Sequence, residues 1–182
     1  EEEKGDLAQL TVAYVGDGNN VVHSLMEGCA LAGTTLRVGT PERYAPRPDI
    51  VEESRRIAAE TGGEVVWTED PAEAVAGADA VYTDTWVSMG DPDDEREERL
   101  RLFEPYQVNA ELMARAAPGA IFMHCLPDHR WEEVTPEVVD GPRSVVFDQA
   151  ENRLHTSCAI LCALLLHRLE GREIGSHLPG SV

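Results

Sequence analysis

The sequence predicts an α/β fold of three layers: a mainly parallel sheet of about five to six strands with helices on both faces. Three observations lead there. Short runs rich in Val, Ile, Tyr and Trp alternate with stretches of helical periodicity from residue 10 onward. Those runs are apolar on both faces, as strands covered by helices on each side must be. No internal repeat or second composition regime interrupts the pattern, so residues 10–182 read as one Rossmann-like domain behind a polar lead-in, residues 1–9.

The elements follow in order. Residues 10–15 form the first strand, and Gly16-Asp17-Gly18-Asn19-Asn20 the turn after it. Val21, Val22, Leu25, Met26, Cys29 and Ala30 recur at helical spacing until Gly33 ends the helix. Residues 36–39 are a second strand. A helix over residues 50–61 takes Asp49 as N-cap and stops at Gly62-Gly63. Residues 64–67 are a strand, and Asp70-Pro71 opens a short helix through Val75. Residues 80–83 are the next strand. After an acidic loop at 91–94, residues 95–103 read as a solvated helix laced with i,i+4 charges. Asn109 caps a helix to Ala116, residues 120–124 make a buried strand, and residues 132–140 are loop or short helix. Residues 144–147 read as the last strand, and residues 154–169 as a long apolar helix.

Charge restricts the partners. There are 34 acidic residues against 15 Lys and Arg, a net −19, and Lys4 is the one lysine. Such a surface repels nucleic acid and anionic lipid. An excess of acids with almost no lysine is similar to the proteins of salt-loving organisms. The four cysteines show no paired-loop spacing, the longest apolar run is too short for a bilayer, and Glu1-Glu2-Glu3 is unlike a signal peptide. These features predict a reduced, cytoplasmic setting.

Four turns follow strands and gather on one rim, where open parallel sheets bind ligands. Gly16-x-Gly18 begins like a dinucleotide fingerprint, but Val21 stands where a third glycine is needed. A tight turn with one Asn as helix cap explains the glycines and leaves the other Asn for a ligand. In the second turn, Asp84 suits an ammonium, and Ser88 with neighbouring N–H groups suits a carboxylate. The third, His124-Cys125-Leu126-Pro127, puts a thiol beside an imidazole. Cys125 is open to readings as nucleophile, proton-relay thiol, metal ligand or small buried hydrophobe. In the fourth, Arg153 stands at the start of a hydrophobic helix and suits a planar oxygen-bearing group, or a salt bridge to Glu151 or Asp148. His155, Cys158 and Cys162 have ligand-like spacing, but core packing within an apolar stripe is the simpler reading.

In order and spacing, Gly16-Asp17-Gly18-Asn19-Asn20, Asp84-x-x-x-Ser88-Met89-Gly90, His124-Cys125-Leu126-Pro127 and Glu151-Asn152-Arg153 resemble the second half of ornithine carbamoyltransferases. The resemblance runs from residue 10 to about residue 166. It implies transfer of the carbamoyl group of carbamoyl phosphate to the δ-amine of ornithine, giving citrulline and phosphate. It further implies that Asn20, Asp84, Ser88 and Met89 hold ornithine, that Cys125 lies beside the δ-amine, and that the Leu126 backbone and Arg153 face the carbamoyl oxygen. No metal or organic cofactor is implied, and the assemblies are homotrimers or multiples of them. The family's phosphate-binding segments do not occur in this sequence. The resemblance therefore implies an ornithine-binding half, inactive alone, and an apolar helix after Leu154 that is less buried than its composition wants. Related enzymes acting on putrescine or acylornithine, and a Rossmann-like module that only binds a small ligand, are the competing readings.

The surface charge carries its own test. The thermal midpoint is expected to rise between low and molar KCl as salt screens self-repulsion. A midpoint that does not move contradicts a salt-adapted surface.

Overall fold

In a computed structural model, residues 2–87 and 93–169 are described, the side chains of 93–95 and 167–169 aside. Five strands form one parallel sheet: β1 (Thr11–Val15), β2 (Thr35–Gly39), β3 (Glu64–Thr68), β4 (Ala80–Thr83) and β5 (Ile121–His124). Their order is β3-β2-β1-β4-β5. The chain winds outward from β1 in one direction and then restarts on its other side with β4. The carboxyl ends of β1 and β4 therefore flank the point where the winding reverses, which opens a crevice there.

Period-two alternation splits the core into two layers. Ala13 and Val15 of β1, Val81 of β4 and Phe122 of β5 face one way, toward α3 (Pro71–Val75), α5 (Ala110–Met113) and α6 (Pro136–Val139). Tyr14, Leu36, Val38, Val65 and Tyr82 face the other way, toward α1 (Asn20–Ala32) and α2 (Pro48–Thr61). Phe122 and Tyr14 are wholly buried. Each such side chain contributes roughly 1.5–3 kcal/mol of transfer free energy. None of the described helices is long and apolar enough to cross a membrane.

The local signals mostly act as expected. Asp70 caps α3 by accepting the Ala72 N–H at 2.8 Å. Gly33 ends α1 with φ 70° and Gly62 ends α2 with φ 89°, a region that favours glycine.

Four expectations need correction. Residues 144–147 are not a strand. Ser144 makes one isolated bridge to Phe122, and α7 (Val146–Leu169) already begins at Val146. The helix α2 starts at Pro48, whose missing N–H and fixed φ suit the first turn. Asp49 then lies inside it and pairs with Arg47 at 2.5 Å instead of capping. The helix α5 ends at Met113, short of Ala116. The helix α4 (Asp93–Phe103) is not solvated all round, because Arg99 and Phe103 are buried.

The chain divides into two compact units, residues 1–146 and 147–182. The described part of the second is the rest of α7. Leu154, Ile160, Leu161 and Leu165 are exposed along it. So are Cys158 and Cys162, which corrects the expectation that core packing accounts for them.

The turn after β1 is tight for a steric reason. Gly18 donates its N–H to the Tyr44 carbonyl at 2.9 Å, and a Cβ at position 18 would lie 2.6 Å from the Ala45 carbonyl carbon. Gly18→Ala is therefore expected to destabilise the fold by about 1–3 kcal/mol, read by thermal or denaturant unfolding. An unchanged midpoint contradicts this packing.

Candidate active site

Three turns meet in the crevice beyond β1, β4 and β5, and one carboxylate joins them. Asp84 directly follows β4 and is 7% exposed. Its Oδ2 accepts the Asn19 side-chain amide at 2.9 Å, from the turn after β1. Its Oδ1 accepts the Thr85 N–H at 2.8 Å and the Cys125 thiol at 2.9 Å, from the turn after β5. A carboxylate has about four lone-pair sites. Three are taken, so Oδ2 keeps one acceptor position.

The two asparagines divide the labour. Asn19 caps α1 through its Oδ1, accepting the Val21 and Val22 N–H groups at 2.9 and 3.3 Å, while its amide is held by Asp84. Asn20 is exposed at the first position of α1 and makes no side-chain hydrogen bond among the described residues. Gly16, with φ 143°, brings this turn close to β4: a Cβ there would stand 3.3 Å from Thr83 Oγ1. The Thr83 hydroxyl donates to the Val15 carbonyl at 2.6 Å and ties the two strand ends together.

Cys125 is half-buried against Tyr14 and Tyr82. Burial first, then the hydrogen bond to Asp84 and its charge, push the thiol up to about 12. At neutral pH it is a thiol that donates to Asp84, not a ready thiolate nucleophile or soft-metal ligand. Burial also pushes the Tyr14 phenol up, with Asp84 adding to it, so Tyr14 stays a neutral donor. Its hydroxyl donates to the Asp17 carbonyl at 2.9 Å.

His124 does not share the site with Cys125. Neighbouring residues at a strand end point to opposite faces, and His124 lies wholly buried on the Phe122 face. Its Nδ1 accepts the Leu126 N–H at 2.9 Å, and its Nε2 lies 3.4 Å from the buried Glu133. The imidazole thus shapes the turn from behind. Leu126 has φ 54°, uncommon for a residue with a side chain. Its N–H is committed to His124.

Ser88 and Met89 lie outside the described residues. Arg153 belongs to the second unit, where it is exposed on α7. Among the described residues, His129, Glu132 and Glu133 bring metal-type donors within 4.8 Å of one another. Glu132, however, is already paired with the Arg96 guanidinium. Sequence reasoning passed over Asn19 as a site residue, and also Tyr14, Asp17 and Arg99. The alternation of β1 could have flagged Tyr14; nothing local flags a contact between residues 17 and 99.

A family model described as aspartate/ornithine carbamoyltransferase, Asp/Orn binding domain, matches residues 8–164. The chain belongs to this family. Ornithine carbamoyltransferase of Hyperthermus butylicus is 54% identical over 165 residues, covering 90% of this chain and 52% of that protein. The Gloeobacter violaceus ornithine carbamoyltransferase is 53% identical over 164 residues, with 90% and 52% covered. The solved ornithine carbamoyltransferase of Pyrococcus furiosus superposes with a TM-score of 0.84 at 51% identity, covering 88% of this chain and 51% of that one. The chain thus spans about half the length of the carbamoyltransferases it matches.

Cys125 alkylation tests the carboxylate–thiol contact. With the thiol near 12, about one part in 10⁴ is thiolate at pH 8. The Cys125 peptide, followed by mass spectrometry, is expected to react far more slowly than the Cys158 peptide. Asp84→Asn removes the charge that holds the proton, so it should speed the reaction. Equal rates at Cys125 and Cys158 in the unsubstituted protein contradict the contact.

Proposed function

We propose that this chain is the ornithine-binding, C-terminal half of an ornithine carbamoyltransferase, with the carbamoyl-phosphate site supplied by a preceding domain. The carrying observation is the Asp84 carboxylate at the winding reversal, held by Asn19, Thr85 and Cys125 with an acceptor position to spare. Relatives named ornithine carbamoyltransferase, more than 50% identical, support the substrate assignment.

The roles follow from the chemistry. Asp84 accepts the α-ammonium of ornithine, and Asn20, Ser88 and Met89 hold its carboxylate end. The δ-amine lies beside Cys125. It must lose a proton before it attacks the carbamoyl carbon. The C–N bond forms, the carbonyl oxygen gains negative charge, and the C–O bond to phosphate then breaks. Arg153 faces that oxygen and stabilises its charge. The Leu126 carbonyl accepts from the carbamoyl amide. Cys125, protonated toward Asp84, orders the amine and links it to a carboxylate rather than forming a covalent intermediate. Holding both substrates in line supplies much of the rate. Four free thiols suit a reduced, cytoplasmic setting, and the assembly we assign is a homotrimer or a multiple of it.

Two outcomes test the proposal. The isolated chain is expected to make no citrulline from ornithine and carbamoyl phosphate; robust formation overturns the half-enzyme reading. In the full-length protein, Cys125→Ala is expected to lower kcat by roughly 10²-fold, and Asp84→Asn to raise KM for ornithine by roughly tenfold or more. Undiminished turnover in both overturns the assigned roles.

A further inference from the structure

The charge-rich helix α4 delivers an arginine to the interior. Arg99 is 8% exposed in a chain of net charge −19. Its Nε and one terminal nitrogen donate to the Trp86 carbonyl at 2.9 and 2.6 Å. That same terminal nitrogen donates to the Asp17 carboxylate at 2.8 Å. The guanidinium also lies over the Tyr44 ring, 4.5 Å from its centre, and over Phe103 at 5.6 Å.

These contacts belong to three different rim turns. Asp17 is in the turn after β1, two residues before Asn19 and three before Asn20. Tyr44 is in the segment after β2, and its carbonyl already accepts the Gly18 N–H. Trp86 is in the turn after β4, two residues beyond Asp84 and two before Ser88. Trp86 and Phe103 stack with centres 5.7 Å apart, so the anchor is packed as well as bonded. The planar fork of arginine matches this demand: one group bonds a carbonyl and a carboxylate while its face covers a ring. A lysine ammonium has no such plane.

We propose that Arg99 is a positioning residue for the amino-acid pocket. It locks the turn carrying Asn20 against the turn carrying Asp84, so both address one ligand. The proposal rests on the ornithine reading given above. Arg99 does not touch the ligand. It sets the spacing between groups that do, so its loss weakens ornithine binding selectively and leaves carbamoyl-phosphate binding in place.

The test uses the full-length protein and separates KM for each substrate from kcat. Arg99→Gln is expected to raise KM for ornithine about tenfold or more while KM for carbamoyl phosphate stays within about twofold. Arg99→Lys should fall between that variant and the unsubstituted protein, because it keeps the charge and loses the fork. Asp17→Asn keeps the shape of the turn and removes the ionic half of the contact. It is expected to raise KM for ornithine about threefold, and it decides the matter should Arg99→Gln not fold. An unchanged KM for ornithine in a folded Arg99→Gln protein overturns the proposal; so does an unchanged value in Asp17→Asn. Equal rises for both substrates also overturn it, since that marks a general structural role. An unsubstituted protein that makes no citrulline overturns the ornithine reading and this proposal together.

Discussion

A nearly buried carboxylate must find donors, and that requirement organises the rim of this sheet. Burying a charged group without partners costs several kcal/mol. Asp84 meets its need from three places at once: the Asn19 amide, its own neighbour's N–H and the Cys125 thiol. Those donors come from the turns after β1, β4 and β5. The carboxylate therefore ties together turns, 41 and 65 residues away in sequence, that the adjacent parallel strands bring to one rim.

The same geometry assigns opposite work to adjacent residues. Because strand side chains alternate, Cys125 faces Tyr14, Tyr82 and Asp84, while His124 faces the Phe122 layer and Glu133. The thiol stays protonated by burial and by Asp84. The imidazole stays out of the crevice and shapes Leu126 through its N–H. A tetrapeptide that looks like a reactive pair is thus a thiol held toward Asp84 with a backbone brace behind it. Charge follows a similar division. The outside carries the acidic excess, while Arg99 is taken inward to join three turns.

Much of the fold was legible because parallel strands covered on both faces leave continuous apolar runs, and helix ends leave Asp70-Pro71, Gly33 and Gly62. The run at 144–147 misled because a short apolar stretch serves a strand or the start of a buried helix equally well. Asp49 looked like a cap because an acid just before a helical stretch fits that place, whereas Pro48 takes the first position of the helix. The helix at 93–103 read as solvated because its composition is dominated by charge. The burial of Arg99 depends on Asp17, 82 residues away, which no local pattern reveals. At the site, three of the four polar turns were legible, since folding alone does not require Asp84 or Cys125 after strand ends; the fourth, at 148–153, lies within α7 and follows no strand. Which asparagine would cap and which would stay open was not legible, because both fit the start of α1.

The central claim is that this rim holds ornithine by its α-ammonium and carboxylate and presents its δ-amine. The most direct measurement is kcat/KM of the full-length protein for ornithine, putrescine and aspartate with carbamoyl phosphate. A site built to pair both charged ends of an amino acid rejects an analogue lacking one of them, or carrying a second carboxylate in place of the amine. The account predicts that ornithine is preferred over either by roughly 10²-fold or more. Comparable turnover of putrescine or aspartate contradicts it.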